Sequence, residues 1–78
     1  MASLWIQNPI ANTIQINSSN TIENVNITIT DISGKTIFSI LNQTINGSLE
    51  LPISISKGMY LITIQNENGS ITKKIIKA

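Results

Sequence analysis

Few residues in this chain could do chemistry. It contains no histidine, cysteine or arginine, so the common general bases, thiolate nucleophiles and guanidinium clamps are missing. A serine or threonine nucleophile needs a base beside it, and lysine is the one basic side chain on offer. Ser56 and Lys57 are sequence neighbours, and on an extended chain neighbouring side chains diverge to opposite faces. The four carboxylates, Glu23, Asp31, Glu50 and Glu67, fall in different turns and strands, which argues against a paired acid–base site. Turn oxygens near Glu67 and Asn68, or near Asp31 and Ser33, could approach calcium. Neither stretch has the dense carboxylate spacing of a calcium loop. The expectation is a protein that is not an enzyme and needs no cofactor or metal.

Charge is the other resource. Lys73, Lys74 and Lys77 make the end of the chain basic. Lysines along a strand discourage pairing with foreign strands, or they offer a charged tail to a receptor; residue physics alone favours the first reading. The formal net charge is +1, and the aromatics are Trp5, Phe38 and Tyr60. Nucleic-acid binding needs clustered Arg and Lys with stacking aromatics, so that class is excluded. Several Asn-x-Ser/Thr triplets occur, among them Asn26-Ile27-Thr28 and Asn68-Gly69-Ser70. A chain this rich in Asn, Ser and Thr produces them by composition.

These residues must be positioned by a small fold. With 78 residues the chain is one domain, and it buries only roughly 60% of its unfolded surface. No disulfide supports it. Isoleucine dominates instead, with eighteen copies, and Ile and Thr suit a pleated surface better than a helix. Charged residues make up 12%, against about 25% in typical domains, so sheet edges are poorly defended. No apolar run approaches the roughly 20 residues of a membrane-spanning helix. Residues 1–3 read as an added start, with the domain over 4–78, and no basic and hydrophobic leader opens the chain.

Period-2 patterning places the strands. Val25, Ile27 and Ile29 alternate with Asn26, Thr28 and Thr30, the pattern of a half-buried strand. Leu4-Trp5-Ile6 precedes it, stopped by Asn8-Pro9, and Thr13 to Asn17 alternates until Ser18-Ser19-Asn20. Asp31-Ile32-Ser33-Gly34-Lys35 is a turn, since Asp bonds its own downstream backbone and Gly supplies positive φ. Thr36 to Leu41 returns as a hairpin, and Asn46-Gly47 marks a further turn before Ser48-Leu49-Glu50-Leu51. Met59 to Gln65 and Ser70 to Ile76 form the last hairpin, with Asn68-Gly69 expected as a type I′ turn. Seven short strands with regular turn signals predict an all-β sandwich or barrel. Trp5 is expected as a core plug.

One spacing sharpens the prediction to an immunoglobulin-like, seven-stranded antiparallel sandwich. After the Gly58 corner, Tyr60 sits near the start of the sixth expected strand, where such domains bond a tyrosine hydroxyl to upstream backbone. Tyr60, Ile62 and Ile64 are then inward-facing. A core tyrosine with a solvated hydroxyl is the plainer alternative.

Taken in order, Asn8-Pro9, Asp31-Ile32-Ser33-Gly34-Lys35, Gly58-Met59-Tyr60, Asn68-Gly69 and Lys74-Ile75-Ile76-Lys77 resemble the type A C-terminal sorting domain of the type IX secretion system of Bacteroidetes. Where that family commonly places an aromatic and a proline before Asn-Pro, this chain has Ile6-Gln7. The resemblance implies an immunoglobulin-like sandwich at the end of a cargo protein. It implies a signal that directs the cargo from the periplasm across the outer membrane to the surface or medium. It also implies partners: the secretion machinery, with an outer-membrane shuttle protein and a cell-surface sortase that removes the domain. The terminal strand then becomes the address itself. Gly58, Tyr60, Lys73, Lys74, Ile75, Ile76, Lys77 and Ala78 are the candidate signal residues. Asn8, Pro9, Asp31, Gly34, Lys35, Asn68 and Gly69 are candidate turn formers. A paired final strand could meet a receptor by strand addition.

Two other classes compete. A passive immunoglobulin-like structural or adhesive module of a surface protein would need a ligand face with exposed aromatics, for which Trp5 alone is available. A sheet-donating assembly subunit fits the weakly charged edges. The expected state is a monomer or a weak strand-mediated dimer.

Overall fold

The alternation around Val25 does form a strand, but a far longer one than its pattern marks. A computed structural model describes residues 3–78, so Met1 and Ala2 of the expected added start lie outside the described residues. Five strands are present among them: β1 Leu4–Ile6, β2 Thr13–Asp31, β3 Thr36–Pro52, β4 Gly58–Asn66 and β5 Gly69–Lys77. All pair antiparallel in one sheet of order β1-β2-β4-β5, with β3 on the other edge of β2. The fold is all-β, as expected, but it has five strands rather than seven.

The difference lies at the breakers. Ser18-Ser19-Asn20 and Asn46-Gly47 do not end strands; they bend two strands that stay paired. β2 and β3 run together from Thr13↔Pro52 to Thr30↔Thr36, with the register slipping between Asn17 and Thr21 and again between Ile22 and Ile27. Bulges of this kind kink a strand without terminating it. Asn24 and Asn42 adopt φ 56° and Gly47 φ 83°, conformations that Asn and Gly tolerate best. Side chains hold the bend together. The Thr21 hydroxyl donates to Asn46 Oδ1 at 2.8 Å, and Asn42 N–H donates to Asn26 Oδ1 at 3.2 Å.

Bending folds the sheet onto itself. The first arm of β2 carries β1 on its free edge (Leu4↔Ser18, Ile6↔Ile16), and the second carries β4 (Asn26↔Gln65 to Asp31↔Tyr60). Ile14 and Ile16 from one arm meet Val25, Ile27 and Ile29 from the other, together with Ile62, Ile64 and Ile75, in a single buried cluster. Each such side chain is worth about 1.5–3 kcal/mol relative to exposure. Trp5 is not a core plug: it is 51% exposed. Leu4 takes the inward position on β1, and alternation puts its neighbour outside.

The curl has two ends. One holds the 31–35 turn, the start of β4 and the end of β5, and is plugged by Ile10 and Ile53, both buried. At the other end Asn66↔Gly69 closes the β4–β5 hairpin. Its central residues are Glu67 and Asn68, neither at positive φ, so the expected type I′ turn on Asn68-Gly69 is not formed. Asn68 N–H instead donates to Asn66 Oδ1 at 2.9 Å, and this side-chain turn replaces the I′ geometry.

Candidate recognition surface

The closing strand β5 is the element around which the candidate residues assemble. Its inner edge pairs with β4 over its full length, placing Lys77 opposite Gly58, Ile76 opposite Met59, Ile75 opposite Tyr60 and Lys74 opposite Leu61. Tyr60 in turn faces Asp31 on β2. Asp31, Tyr60 and Ile75 therefore form one row across three strands, and Gly58, Lys77 and the 31–35 turn lie just beyond it.

The outer edge of β5 is also occupied. Asn8 Oδ1 accepts the Ile76 N–H at 2.9 Å, and Asn8 Nδ2 approaches the Lys74 carbonyl at 3.5 Å. Ile10 N–H donates to the Ile76 carbonyl at 2.8 Å, and Ala78 N–H donates back to the Ile10 carbonyl at 3.1 Å. Ile10 thus forms a parallel bridge with Lys77. Farther along, Lys73 Nζ donates to the Leu4 carbonyl at 3.1 Å. Asn8-Pro9 does more than stop β1; it delivers a latch for the end of the chain. Strand addition at residues 74–78 meets an edge that is already taken.

Two local devices shape this end. Asp31 Oδ1 accepts from Ser33 N–H at 3.0 Å, Ser33 Oγ at 2.6 Å and Lys35 N–H at 3.0 Å, while Gly34 turns the chain at φ 95°. The Ser33 hydroxyl first, then the Lys35 N–H, hold the Asp31 carboxyl below the usual carboxylate range. Hydrogen bonds to the charged form favour ionisation. The second device is the corner at Gly58, which has φ 149°, a region L side chains rarely adopt. Tyr60 follows it, buried, and its hydroxyl donates to the Ser56 carbonyl at 2.6 Å. That is the expected corner bond, on the fourth strand rather than the sixth. Ile62 and Ile64 point inward as expected.

Most candidate residues therefore converge: Asn8, Pro9, Asp31, Gly34, Lys35, Gly58, Tyr60 and residues 74–78 share one end. Lys73 sits farther along β5, and Asn68 and Gly69 close the opposite end. Sequence reasoning missed Ile10, whose signal was a lone buried-type residue after Asn8-Pro9. It also missed the outward-facing Met59 and Leu61, 48% and 37% exposed, whose parity opposite Tyr60 and Ile62 marked them. Among the described residues no group of three or more His, Cys, Asp or Glu side chains could hold a metal, and no helix is long and apolar enough to cross a membrane.

The profile of the family described as "Secretion system C-terminal sorting domain" matches residues 8–78. The chain belongs to that family. It is a C-terminal sorting signal for type IX secretion, acting with that machinery on behalf of an N-terminal cargo. The parent protein is secreted across the outer membrane, and a passive immunoglobulin-like module is not favoured. A comparison with curated protein sequences finds no match. The region matched by the sorting-domain profile begins at Asn8, the residue that opens the latch on β5, and leaves out β1.

Proposed function

We propose that this sorting domain is a non-catalytic address read at the end of the curl where β5, the Asn8–Ile10 latch, the Gly58 corner and the 31–35 turn meet. One observation carries the reading: residues as far apart in sequence as Asn8 and Ile76 are joined there by direct hydrogen bonds. Gly58, Tyr60, Lys74, Ile75, Ile76, Lys77 and Ala78 form the address on this reading. Asp31, Gly34 and Lys35 shape its border, and Lys73 ties β5 to β1. Asn68 and Gly69 serve only to close the hairpin.

The finer steps belong to the same proposal. The cargo crosses the periplasm in a Bacteroidetes host, an outer-membrane shuttle protein receives it, and a cell-surface sortase removes the domain. We also read the two arms of the curl as the layers of an immunoglobulin-like sandwich, with β2 and β3 each contributing to both; the Tyr60 corner bond supports this. Fusing residues 4–78 to a periplasm-targeted reporter in a type IX host tests the address. The reporter should reach the surface, and removing residues 74–78 should retain it inside. Equal export of the truncated fusion would refute the role of β5.

A further inference from the structure

The outer face of the second arm is mostly hydroxyl-bearing, with Thr28 and Thr30 on β2, Ser39 on β3 and Thr63 and Thr72 across β4 and β5, apart from a lone exposed Leu41 on β3 near the bend. Thr63 and Thr72 even bond to each other at 3.1 Å. Toward the Asp31 end the character changes abruptly. Met59 and Ile76 stand directly opposite each other, with Leu61 one outward position along, 48%, 42% and 37% exposed. Three apolar side chains grouped on one sheet face are not the scattered exposure that every surface carries.

The charges are arranged around this group. All five basic residues are lysines, and all lie on β5 or in the loops at this end. Lys74 shares the outer face with Ile76 and sits opposite Leu61, while Lys57 and Lys35 occupy the adjoining loops. The one side-chain carboxylate nearby, Asp31, is engaged by the Ser33 hydroxyl and the Ser33 and Lys35 N–H groups, and the Ala78 carboxyl terminus lies beside Lys77. Glu23 and Glu67 border a cleft at the opposite end, and Glu50 lies opposite Gln15 on the other arm. An apolar centre inside a lysine rim complements an apolar centre inside a carboxylate rim. The outer backbone edge of β5 is latched at Ile76 and Ala78, while the outward side chains of this end stay exposed.

We propose that Met59, Leu61 and Ile76, rimmed by Lys74 and Lys57, are the docking surface for a protein partner whose own surface has an apolar centre edged by Asp and Glu. This rests on the sorting reading above and names the chemistry of the component that reads the address. Strand residues on this face tolerate threonine, so converting the patch to match its surroundings removes the contact without touching the core.

The test uses the full chain fused to the reporter in a type IX host. The variant M59T/L61T/I76T should keep its thermal midpoint within a few degrees and lose export by at least about tenfold, the scale of 1.4 kcal/mol. Charge reversal in K57E/K74E, which alters no buried residue, should also cut export by about tenfold or more. Equal export by the threonine variant overturns the docking surface while leaving the sorting reading intact. Unchanged export by the charge-reversed variant overturns the acidic partner. Failure of the wild-type fusion to export at all defeats the sorting reading and the docking surface with it. Two in vitro outcomes also overturn the proposed occupant. One is patch-dependent binding of the chain to phosphatidylglycerol vesicles; the other is patch-dependent self-association by light scattering.

Discussion

Replacing Asn8 with alanine should loosen the end of β5 without unfolding the sheet. The Asn8 side chain accepts the Ile76 N–H at 2.9 Å and approaches the Lys74 carbonyl at 3.5 Å. The second contact is at the limit of a hydrogen bond, so the first carries the effect. Ile76 is 42% exposed, and water can re-solvate its N–H once Asn8 is truncated. The loss is therefore near the ordinary net value of about 1 kcal/mol, not the larger penalty of a stranded buried donor. For local opening, that corresponds to roughly fivefold faster amide exchange. Native-state hydrogen exchange resolved by residue is the assay. Exchange at Ile76 should accelerate by that factor in Asn8→Ala, and Ala78, whose N–H is held by the adjacent Ile10 carbonyl, should follow. The amides of Ile62 and Ile64 should be unaffected. Asn8→Asp keeps the acceptor oxygen and should leave Ile76 protected. Uniform acceleration of every slow amide, or equal behaviour of the Ala and Asp variants, would refute the local latch.

Three further outcomes follow from the same geometry. Tyr60→Phe removes the part-buried 2.6 Å bond to the Ser56 carbonyl and should cost about 1 kcal/mol, or roughly 4–8 °C in Tm by calorimetry; an unchanged Tm would show that the corner bond contributes nothing. Ile62→Ala opens a cavity at a fully buried position and should cost about 2–5 kcal/mol in urea denaturation, with a loss below about 1 kcal/mol contradicting the single-core description. Asp31 ionises more readily in the folded state than at its ordinary value of 3.8, so its contribution is complete above that value and fades as pH falls through the lower folded value. Wild type should accordingly lose stability below about pH 4 more steeply than Asp31→Asn, and parallel acid profiles would remove the turn from the explanation.

The strand content, the Asp31 turn, the Gly58 corner and the inward row of Tyr60, Ile62 and Ile64 were legible because each depends on local patterning. Period-2 alternation decides which face is buried, and turn chemistry decides where a tight reversal can occur. The strand count was not legible for the same reason. Ser18-Ser19-Asn20 and Asn46-Gly47 carry the composition of a turn, and only the partner strand determines whether such a stretch reverses the chain or bends it. Here Thr21 and Asn46 bond across the bend, a contact between residues that local reading assigns to separate elements. The Asn68-Gly69 turn misled similarly, because Asn66, two residues before the expected turn dipeptide, captures Asn68 N–H. The Asn8-Pro9 latch escaped altogether. Its partners lie at the far end of the sequence, and no periodicity reports a contact of that separation.

That separation bears on what kind of signal this is. The lysines and isoleucines of β5 are present in the unfolded chain, but their display is not. Met59 stands beside Ile76 only once β4 and β5 are in register, and the backbone of Ile76 is fixed only once residues 8–10 have come across the end of the curl. A peptide corresponding to β5 alone carries the same side chains without that arrangement, and an isolated strand has no stable partner to hold it extended. On the proposed reading, recognition therefore depends on a folded domain rather than on a linear tag. On the same reading, the isoleucine-filled core matters to function because it holds β4 and β5 in the register that sets Met59 beside Ile76 and Leu61 beside Lys74.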